Sequence, residues 1–161
     1  YRTSIKDALL YNSNYKGGSG YTNNKSDLNQ EGIETSLNFK KNNNILKIYN
    51  TISSSRGTDG TRQLNRPDST YGIIYSMNIK NSLIGPFSLN YNYKHYGKSF
   101  DYAPSVTKVD STDIMNISLS KNTNFGIFNF SINNLLDESY QRPYGYSQNK
   151  RKINFGFINK F

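Results

Sequence analysis

Apolar and polar side chains alternate along most of this chain, and this pattern limits its fold more than any other feature. The clearest run covers 69–80, where Tyr71, Ile73, Tyr75 and Met77 fall on one face opposite mostly polar residues. Because successive side chains of a β-strand point to opposite faces, each such run predicts a strand with one apolar face. The chain has eight of these runs and no stretch that predicts a helix. The predicted strands lie at about 1–11, 32–40, 45–53, 69–80, 87–96, 112–120, 125–135 and 152–161.

The links between these strands alternate in length. Long links cover about 12–31, 54–68, 97–111 and 136–151, whereas short links lie at 41–44, around Gly85 and Pro86, and at 121–124. Outer-membrane barrels carry short turns at one end and long loops at the other. We therefore predict an all-β fold, an antiparallel up-and-down transmembrane β-barrel segment of about eight strands. The last strand is expected to run inward, towards the periplasm.

Composition agrees with strands in a bilayer better than with a soluble core. Hydrophobic residues make up 34% of the 161 residues and mean hydropathy is -0.77, which is low for a packed soluble domain. Aromatic residues at 14%, together with the regular alternation, argue against disorder. The apolar runs are far shorter than the roughly 18 residues of a membrane helix. Any membrane residence must therefore be as strands, which have to pair their backbone groups.

Charge and chemistry-bearing residues exclude several functions. The formal net charge is +9, but the basic residues are dispersed and no nucleic-acid-binding motif appears. There is no cysteine, His95 is the single histidine, and no G-x-S-x-G elbow is present. Asp27, Glu31 and Glu34 lie close in sequence, but carboxylates spaced in this way are expected to be solvated. We predict no catalytic residue, no metal site and no cofactor, and therefore no enzyme.

The end of the chain carries the most specific motif. It consists of Asn134, Leu135, Leu136, Asp137 and Tyr140, followed by Gly145 and Tyr146 and then by Arg151. This ending resembles that of the TonB-dependent outer-membrane receptors, and most of all the cobalamin transporters among them. Shorter matches to the same family lie at 5–9, 32–34 and 64–67. Two positions depart from the family pattern, because Asn149-Lys150 stands where Pro-Gly is usual and Asn159 where an aromatic residue is usual.

The resemblance implies a barrel of 22 strands with an N-terminal plug, of which 1–161 would be the last eight strands. The plug and the TonB box would lie outside this chain, and Phe161 would serve as the signal to the barrel assembly machinery. Implied partners are outer-membrane lipid and lipopolysaccharide, the plug and the remaining strands, the TonB-ExbB-ExbD complex and a small-molecule substrate. The implied location is the outer membrane of a Gram-negative bacterium, and the implied function is active uptake of a large, scarce nutrient, with cobalamin as the first candidate.

The long outer links hold the candidate ligand contacts. Rigid aromatic side chains with polar neighbours suit a large, flat, polar ligand. On this ground we predict contacts from Tyr96, Phe100, Tyr102, Tyr140, Arg142, Tyr144 and Tyr146. Asp137 and Arg151 bracket the last long link and are expected to pair with each other or to anchor its ends.

Three other interpretations fit parts of the pattern. A siderophore or haem receptor of the same superfamily would have a similar barrel end. A self-contained eight-stranded barrel would act as a structural or adhesive outer-membrane protein. A soluble β-sandwich binding module would turn the apolar stripes towards a shared dry interior.

Overall fold

The structure of the protein is a computed structural model, and it describes residues 1–7, 9–15, 18–23, 27–57, 66–80, 82–83, 85–101 and 107–159. Within these ranges the chain is all-β, without a helix. None of the described residues belongs to a helix long and apolar enough to cross a bilayer. The strands are β1 (Arg2–Ile5), β2 (Leu9–Tyr15), β3 (Gly18–Asn23), β4 (Leu28–Lys41), β5 (Asn44–Gly57), β6 (Ser69–Ile79), β7 (Phe87–Tyr96), β8 (Ser99–Asp101), β9 (Thr107–Val109), β10 (Thr112–Asn122), β11 (Gly126–Asn133) and β12 (Lys152–Asn159).

Eight strands form one antiparallel sheet in the order β1-β4-β5-β6-β7-β10-β11-β12. Each strand pairs with the strand that follows it among these eight, so the sheet has an up-and-down topology. The links alternate between short and long, which confirms the predicted arrangement. We call the end with the long links the loop end and the opposite end the turn end. In the part of the chain that the structure describes, no pairing joins β1 to β12, so the sheet has two free edges.

Two predicted long loops are wrong, because each contains a hairpin. β2 pairs with β3 inside the link predicted at 12–31, and β8 pairs with β9 inside the link at 97–111. The predicted first strand at 1–11 is likewise wrong, since β1 ends at Ile5 and the chain then turns into β2. These hairpins lie outside the main sheet, in two separate two-stranded sheets. In β2 the residues Leu9, Leu10 and Tyr11 follow one another without alternation, and the other three strands are short or mostly polar, so no period of two reveals them.

Most other strand bounds agree with the prediction, and the differences have a common cause. β7 covers 87–96 as predicted, but β4 starts at Leu28 and β5 ends at Gly57, several residues beyond the predicted bounds. Leu28 pairs with Gly57 at the far end of this ladder. At about 3.4 Å per residue, strands of this length exceed what a tilted strand needs to cross a bilayer. The additional residues are mostly polar, so alternation alone does not mark them as strand.

One face of the sheet is continuously apolar. The sheet register places Leu46 opposite Tyr75, Tyr75 opposite Tyr91, and Tyr91 opposite Ile117. The same row continues on both sides, and it consists of Phe39, Leu46, Tyr75, Tyr91, Ile117, Ile132 and Ile153. We call the face with this row the apolar face. Seven strands therefore present large apolar side chains at the same height.

The opposite face is mainly polar. Ser76, Asn90, Ser118, Ser131 and Asn154 form one row across it. Within the described ranges, no second layer covers either face. Among the described residues, the buried hydrophobic side chains are Leu28 and Val109, whereas residues of the apolar face such as Ile33 and Phe155 are 68% and 71% exposed. A water-soluble sandwich would bury its stripes between two sheets, so this geometry excludes the β-sandwich interpretation.

On the polar face, a glycine lets two neighbouring strands approach closely. A Cβ atom added at Gly72 would meet the backbone oxygen of Tyr93 and would lie 2.6 Å from the hydroxyl oxygen of Tyr49. The Tyr49 ring therefore fills the space that a side chain at position 72 would need. Aromatic rings that cover glycines in this way help to fix the register of a sheet.

Candidate ligand site at the loop end

The last long link, 134–151, is organised around Asn134. This residue has a φ of 52° and lies where β11 ends. Its side-chain amide donates to the carbonyl oxygens of Glu138 and Asn149, at 2.9 and 3.1 Å, and its Oδ1 accepts from the backbone N–H of Glu138. Asn134 is 4% exposed. Asparagine suits this position because it tolerates a left-handed backbone and its short amide can bond locally.

Asp137 and Arg151 join the two ends of the link. Oδ1 of Asp137 accepts from the backbone N–H of Arg151 at 2.8 Å, just before β12 begins. The Nε of Arg151 donates to the carbonyl oxygen of Leu135 at 3.0 Å. The contact between the two residues is therefore a hydrogen bond that the Arg151 backbone donates to the Asp137 carboxylate, rather than an ion pair between side chains. It fixes the point at which the chain re-enters the sheet.

The middle of the link folds into a compact turn. Gln141 and Ser147 form an isolated β-bridge, and the backbone N–H of Gln148 donates to the carbonyl oxygen of Tyr140 at 2.9 Å. Gly145 has a φ of 83° at the tip of this turn. Such a backbone favours glycine, since side chains rarely adopt it. We call 140–148 the mini-hairpin.

Arg142 connects the mini-hairpin to the neighbouring long link, 97–111. Its Nη2 donates to the carbonyl oxygens of Gly97 and Asp110, at 2.6 and 3.2 Å, and its Nη1 donates to Oγ of Ser99 at 3.3 Å. The guanidinium carbon also lies 5.0 Å from the centre of the Tyr96 ring. Ser99 is only 3% exposed, so this contact between the two links is tightly packed.

A cavity of about 550 Å³ lies beside this contact. It is lined by Pro67, Tyr96, Ser99, Tyr140, Arg142, Pro143 and Gln148. Tyr96 stands on the polar face of β7, because it occupies the strand position opposite in parity to Tyr91 and Tyr93. Three of the predicted contact residues, Tyr96, Tyr140 and Arg142, therefore come together from distant parts of the chain. Two phenols, an amide and prolines suit a large ligand that offers flat surfaces and polar edges.

Tyr140 is partly buried beside the cavity. Burial raises the pKa of its phenol above the ordinary value, and the neighbouring Tyr96 adds to this rise, while the guanidinium of Arg142 opposes it. The phenol is therefore neutral at ordinary pH and can donate a hydrogen bond to a ligand.

The other predicted contact residues lie elsewhere. Phe100 lines a separate cavity of about 150 Å³, together with residues 53–56, 66–68 and Lys98. Tyr144 and Tyr146 are 52% and 68% exposed and line neither cavity. Tyr102 and Phe161 lie outside the described residues. Sequence reasoning missed Pro67, Ser99, Pro143 and Gln148, because isolated polar residues and prolines in a long link carry no pattern.

A polar cluster on the apolar face near the loop end was also missed. Oδ1 of Asp113 lies 2.8 Å from Nδ1 of His95 and accepts from the Tyr93 hydroxyl at 2.6 Å. The His95 ring stacks on Tyr71, with 4.4 Å between ring centres. The cluster joins three adjacent strands, and only the register shows that these residues are neighbours. Among the described residues, no group of three or more His, Asp or Glu side chains could hold a metal ion.

The class of fold follows from these features. An all-β antiparallel sheet with one apolar face, long links at one end and short turns at the other has the architecture of an outer-membrane β-barrel wall. The chain superposes on the pyoverdine outer membrane receptor FpvA from Pseudomonas aeruginosa PAO1, bound to pyoverdine, with a TM-score of 0.78 and 14% identity. The match covers 99% of this chain and 26% of that receptor.

Two further solved structures show the same fold. The ferripyoverdine receptor of the outer membrane of Pseudomonas aeruginosa, bound to ferripyoverdine, gives a TM-score of 0.74 at 14% identity and covers 96% of this chain and 23% of its own. The FrpB iron transporter from Neisseria meningitidis (F3-3 variant) gives 0.70 at 14% identity, with coverages of 99% and 27%. This chain thus spans about a quarter of the length of these receptors. No family model and no curated protein matches it.

Proposed function

We propose that residues 1–161 form part of the barrel wall of a TonB-dependent transporter in the outer membrane of a Gram-negative bacterium, without the plug. The observation that carries this proposal is the apolar row across seven strands, which no described residue covers and which lies on the face opposite the polar row. Hydrocarbon is the solvent that suits such a face. The motif from Asn134 to Arg151 and the fold shared with outer-membrane receptors support the same proposal.

The two free edges favour a larger barrel over a self-contained one. In lipid, each unpaired backbone group costs several kcal/mol, so a sheet must close on itself or on further strands. A complete eight-stranded barrel would pair β1 with β12, and within the described ranges these strands have no such pairing. We therefore propose that additional strands complete the wall and that a plug fills the lumen.

The cargo that we propose is a large polar metal complex, a class that includes corrinoids and ferric siderophores. The resemblance of the motif favours cobalamin. The solved structures favour a siderophore, since one is bound to pyoverdine and another is an iron transporter. The cavity at the loop end suits either, because Tyr96 and Tyr140 offer aromatic surface and Gln148 offers an adaptable amide.

The proposed role is mechanical rather than chemical. The outer membrane has no ATP, and the TonB-ExbB-ExbD complex would transmit the energy of the inner-membrane proton gradient to the plug. This part of the wall would supply lumen lining and outer loops that capture the cargo. No covalent step is assigned to the chain.

Binding to the full-length protein in lipid nanodiscs tests the proposal. We expect cyanocobalamin or a ferric siderophore to bind, and uptake in cells to disappear when TonB is deleted. Tyr140→Ala should weaken binding about tenfold, which corresponds to about 1.4 kcal/mol. Tyr146→Ala, which removes an exposed tyrosine from the same link, should leave affinity unchanged.

The outcomes separate the two kinds of cargo. Affinity for cyanocobalamin alone selects the corrinoid, and affinity for a ferric siderophore alone selects the iron complex. Uptake that continues without TonB, or the absence of binding to every chelate tested, contradicts the proposed function.

A further inference from the structure

Arg142 is engaged on both its edge and its face. Three donated hydrogen bonds, to Gly97, Asp110 and Ser99, engage both of its terminal nitrogens, and the guanidinium carbon lies over the Tyr96 ring, 5.0 Å from the ring centre. A guanidinium is a rigid planar fork that can make several bonds and stack at the same time. Both terminal nitrogens of the guanidinium are therefore already engaged by the neighbouring link.

We propose that Arg142 is a positioning residue, which locks the mini-hairpin onto the neighbouring link before any ligand arrives. Ligand contact then falls to Tyr140 and Gln148. This replaces the contact role that the sequence suggested for Arg142. We call the set of contacts between Arg142 and the neighbouring link the lock. The identity of the ligand rests on the proposed function, whereas the lock does not.

The contacts of Arg142 explain how one side chain can set the shape of the cavity. Its two carbonyl partners lie at opposite ends of the 97–111 link, since Gly97 directly follows β7 and Asp110 lies between β9 and β10. Arg142 contacts the backbone carbonyl of Asp110, while the exposed Asp110 carboxylate lies 3.9 Å from Nζ of Lys108. One residue of the last link therefore holds both ends of the preceding link.

The lock extends to the residues that line the cavity. Nε2 of Gln148 donates to the carbonyl oxygen of Arg142 at 2.8 Å, and the backbone N–H of Gln148 bonds to Tyr140. The mini-hairpin is thus one hydrogen-bonded unit, and among the described residues Arg142 donates three hydrogen bonds from it to the 97–111 link. If these bonds are lost, Tyr140 and Gln148 are expected to move together. Binding would then have to order the mini-hairpin first, which lowers affinity without the loss of a direct contact.

Hydrogen–deuterium exchange on the ligand-free, full-length protein in nanodiscs tests the lock. In Arg142→Met, the amides of 140–148 should exchange at least tenfold faster than in the wild type, while those of β6 and β7 stay unchanged. Arg142→Lys keeps the charge but loses the fork, so its exchange should lie between the two. Lys150→Met removes a positive charge from the same link outside the mini-hairpin and should have no effect.

Substitutions of Tyr96 provide a second, independent test of the lock. Tyr96→Phe keeps the surface on which the guanidinium stacks and should leave exchange unchanged. Tyr96→Leu removes the ring and should raise exchange in 140–148 by less than Arg142→Met does.

The exchange results test the role of Arg142 independently of the transport assay. Normal exchange in Arg142→Met combined with weaker binding would make Arg142 a ligand contact and overturn the lock. An equal rise in exchange throughout the main strands would show general destabilisation and also overturn it. Fast exchange confined to 140–148 supports the lock even when no chelate binds, although the proposed function would then fail. Where a chelate binds, saturation should restore protection in Arg142→Met.

Discussion

The middle of the sheet and its loop end are built in opposite ways. In the middle, large apolar side chains such as Ile33 and Phe155 are exposed, and no described part of the chain forms a second layer over them. At the loop end, the buried side chains include the polar residues Ser99, Thr112 and Asn134. A water-soluble domain shows the reverse, with a dry centre and wet loops. The comparison indicates that the two regions are stabilised differently. The middle of the sheet depends on the solvent around its apolar face, whereas the loop end depends on specific hydrogen bonds.

The largest effect should come from a charge in the middle of the apolar face. Ile117 lies near the centre of β10 and belongs to the apolar row. Ile117→Lys should lower the free energy of unfolding of the full-length protein in a bilayer by about 2–4 kcal/mol, because hydrocarbon does not solvate the ammonium group. Chemical unfolding in lipid vesicles measures this change.

The adjacent residue supplies the control. Ser118 lies on the polar face, opposite Asn90 and Ser131. Ser118→Lys should change the same free energy by about 0.5 kcal/mol or less, since its ammonium group reaches water. Equal changes in the free energy of unfolding for the two substitutions would mean that both faces contact the same solvent. That result would contradict the proposed difference between the apolar and polar faces.

A smaller loss is expected when one polar side chain is removed at the loop end. Asn134→Ala eliminates the bonds to Glu138 and Asn149 in a buried position and should cost about 2 kcal/mol. The neighbouring Asn133 is exposed, so Asn133→Ala provides the matched variant and should be nearly neutral. Thermal unfolding of both variants, combined with hydrogen exchange in 134–151, measures the difference. If the two alanine variants unfold alike, hydrogen bonding does not organise this end.

The smallest effect concerns the tip of the mini-hairpin. Gly145 has a positive φ, and a Cβ atom there would meet no neighbouring atom within 4 Å. Gly145→Ala should therefore act through backbone strain alone and cost about 1 kcal/mol. Gly145→Asn should cost less, because asparagine adopts this conformation more readily. Cleavage within 141–147 by a dilute protease reports the local opening, and equal cleavage of both variants would exclude strain as the cause.

The same contrast explains how much of the fold the sequence predicts. In the middle of the sheet, a period of two marks most positions, with exceptions such as Ile45 and Ile74, and β7 agrees with its prediction at both ends. At the loop end, stability comes from backbone pairing and isolated polar side chains, which have no periodic signal. This is why the β2–β3 and β8–β9 hairpins and the extensions of β4 and β5 were not predicted.

The candidate site was predictable only where its residues belong to a sequence pattern. The family motif directs attention to the last link, and aromatic enrichment singles out Tyr96 and Tyr140. Neither the family motif nor aromatic enrichment singles out Gln148 or Ser99. The partners of Arg142 are mostly backbone carbonyls, which every residue possesses, so no sequence pattern reveals its contacts. If cargo identity depends on contacts of this kind, as the proposed function implies, the motif alone cannot separate a corrinoid from an iron complex.

The close approach at Gly72 has a genetic consequence. A side chain at this position would collide with a backbone oxygen on β7 and with the Tyr49 ring on β5. A smaller residue at position 49 relieves only the second collision, since no substitution removes a main-chain carbonyl. A mutant at Gly72 should therefore have no single-site suppressor, and random mutagenesis would recover reversion to glycine in preference to compensation elsewhere.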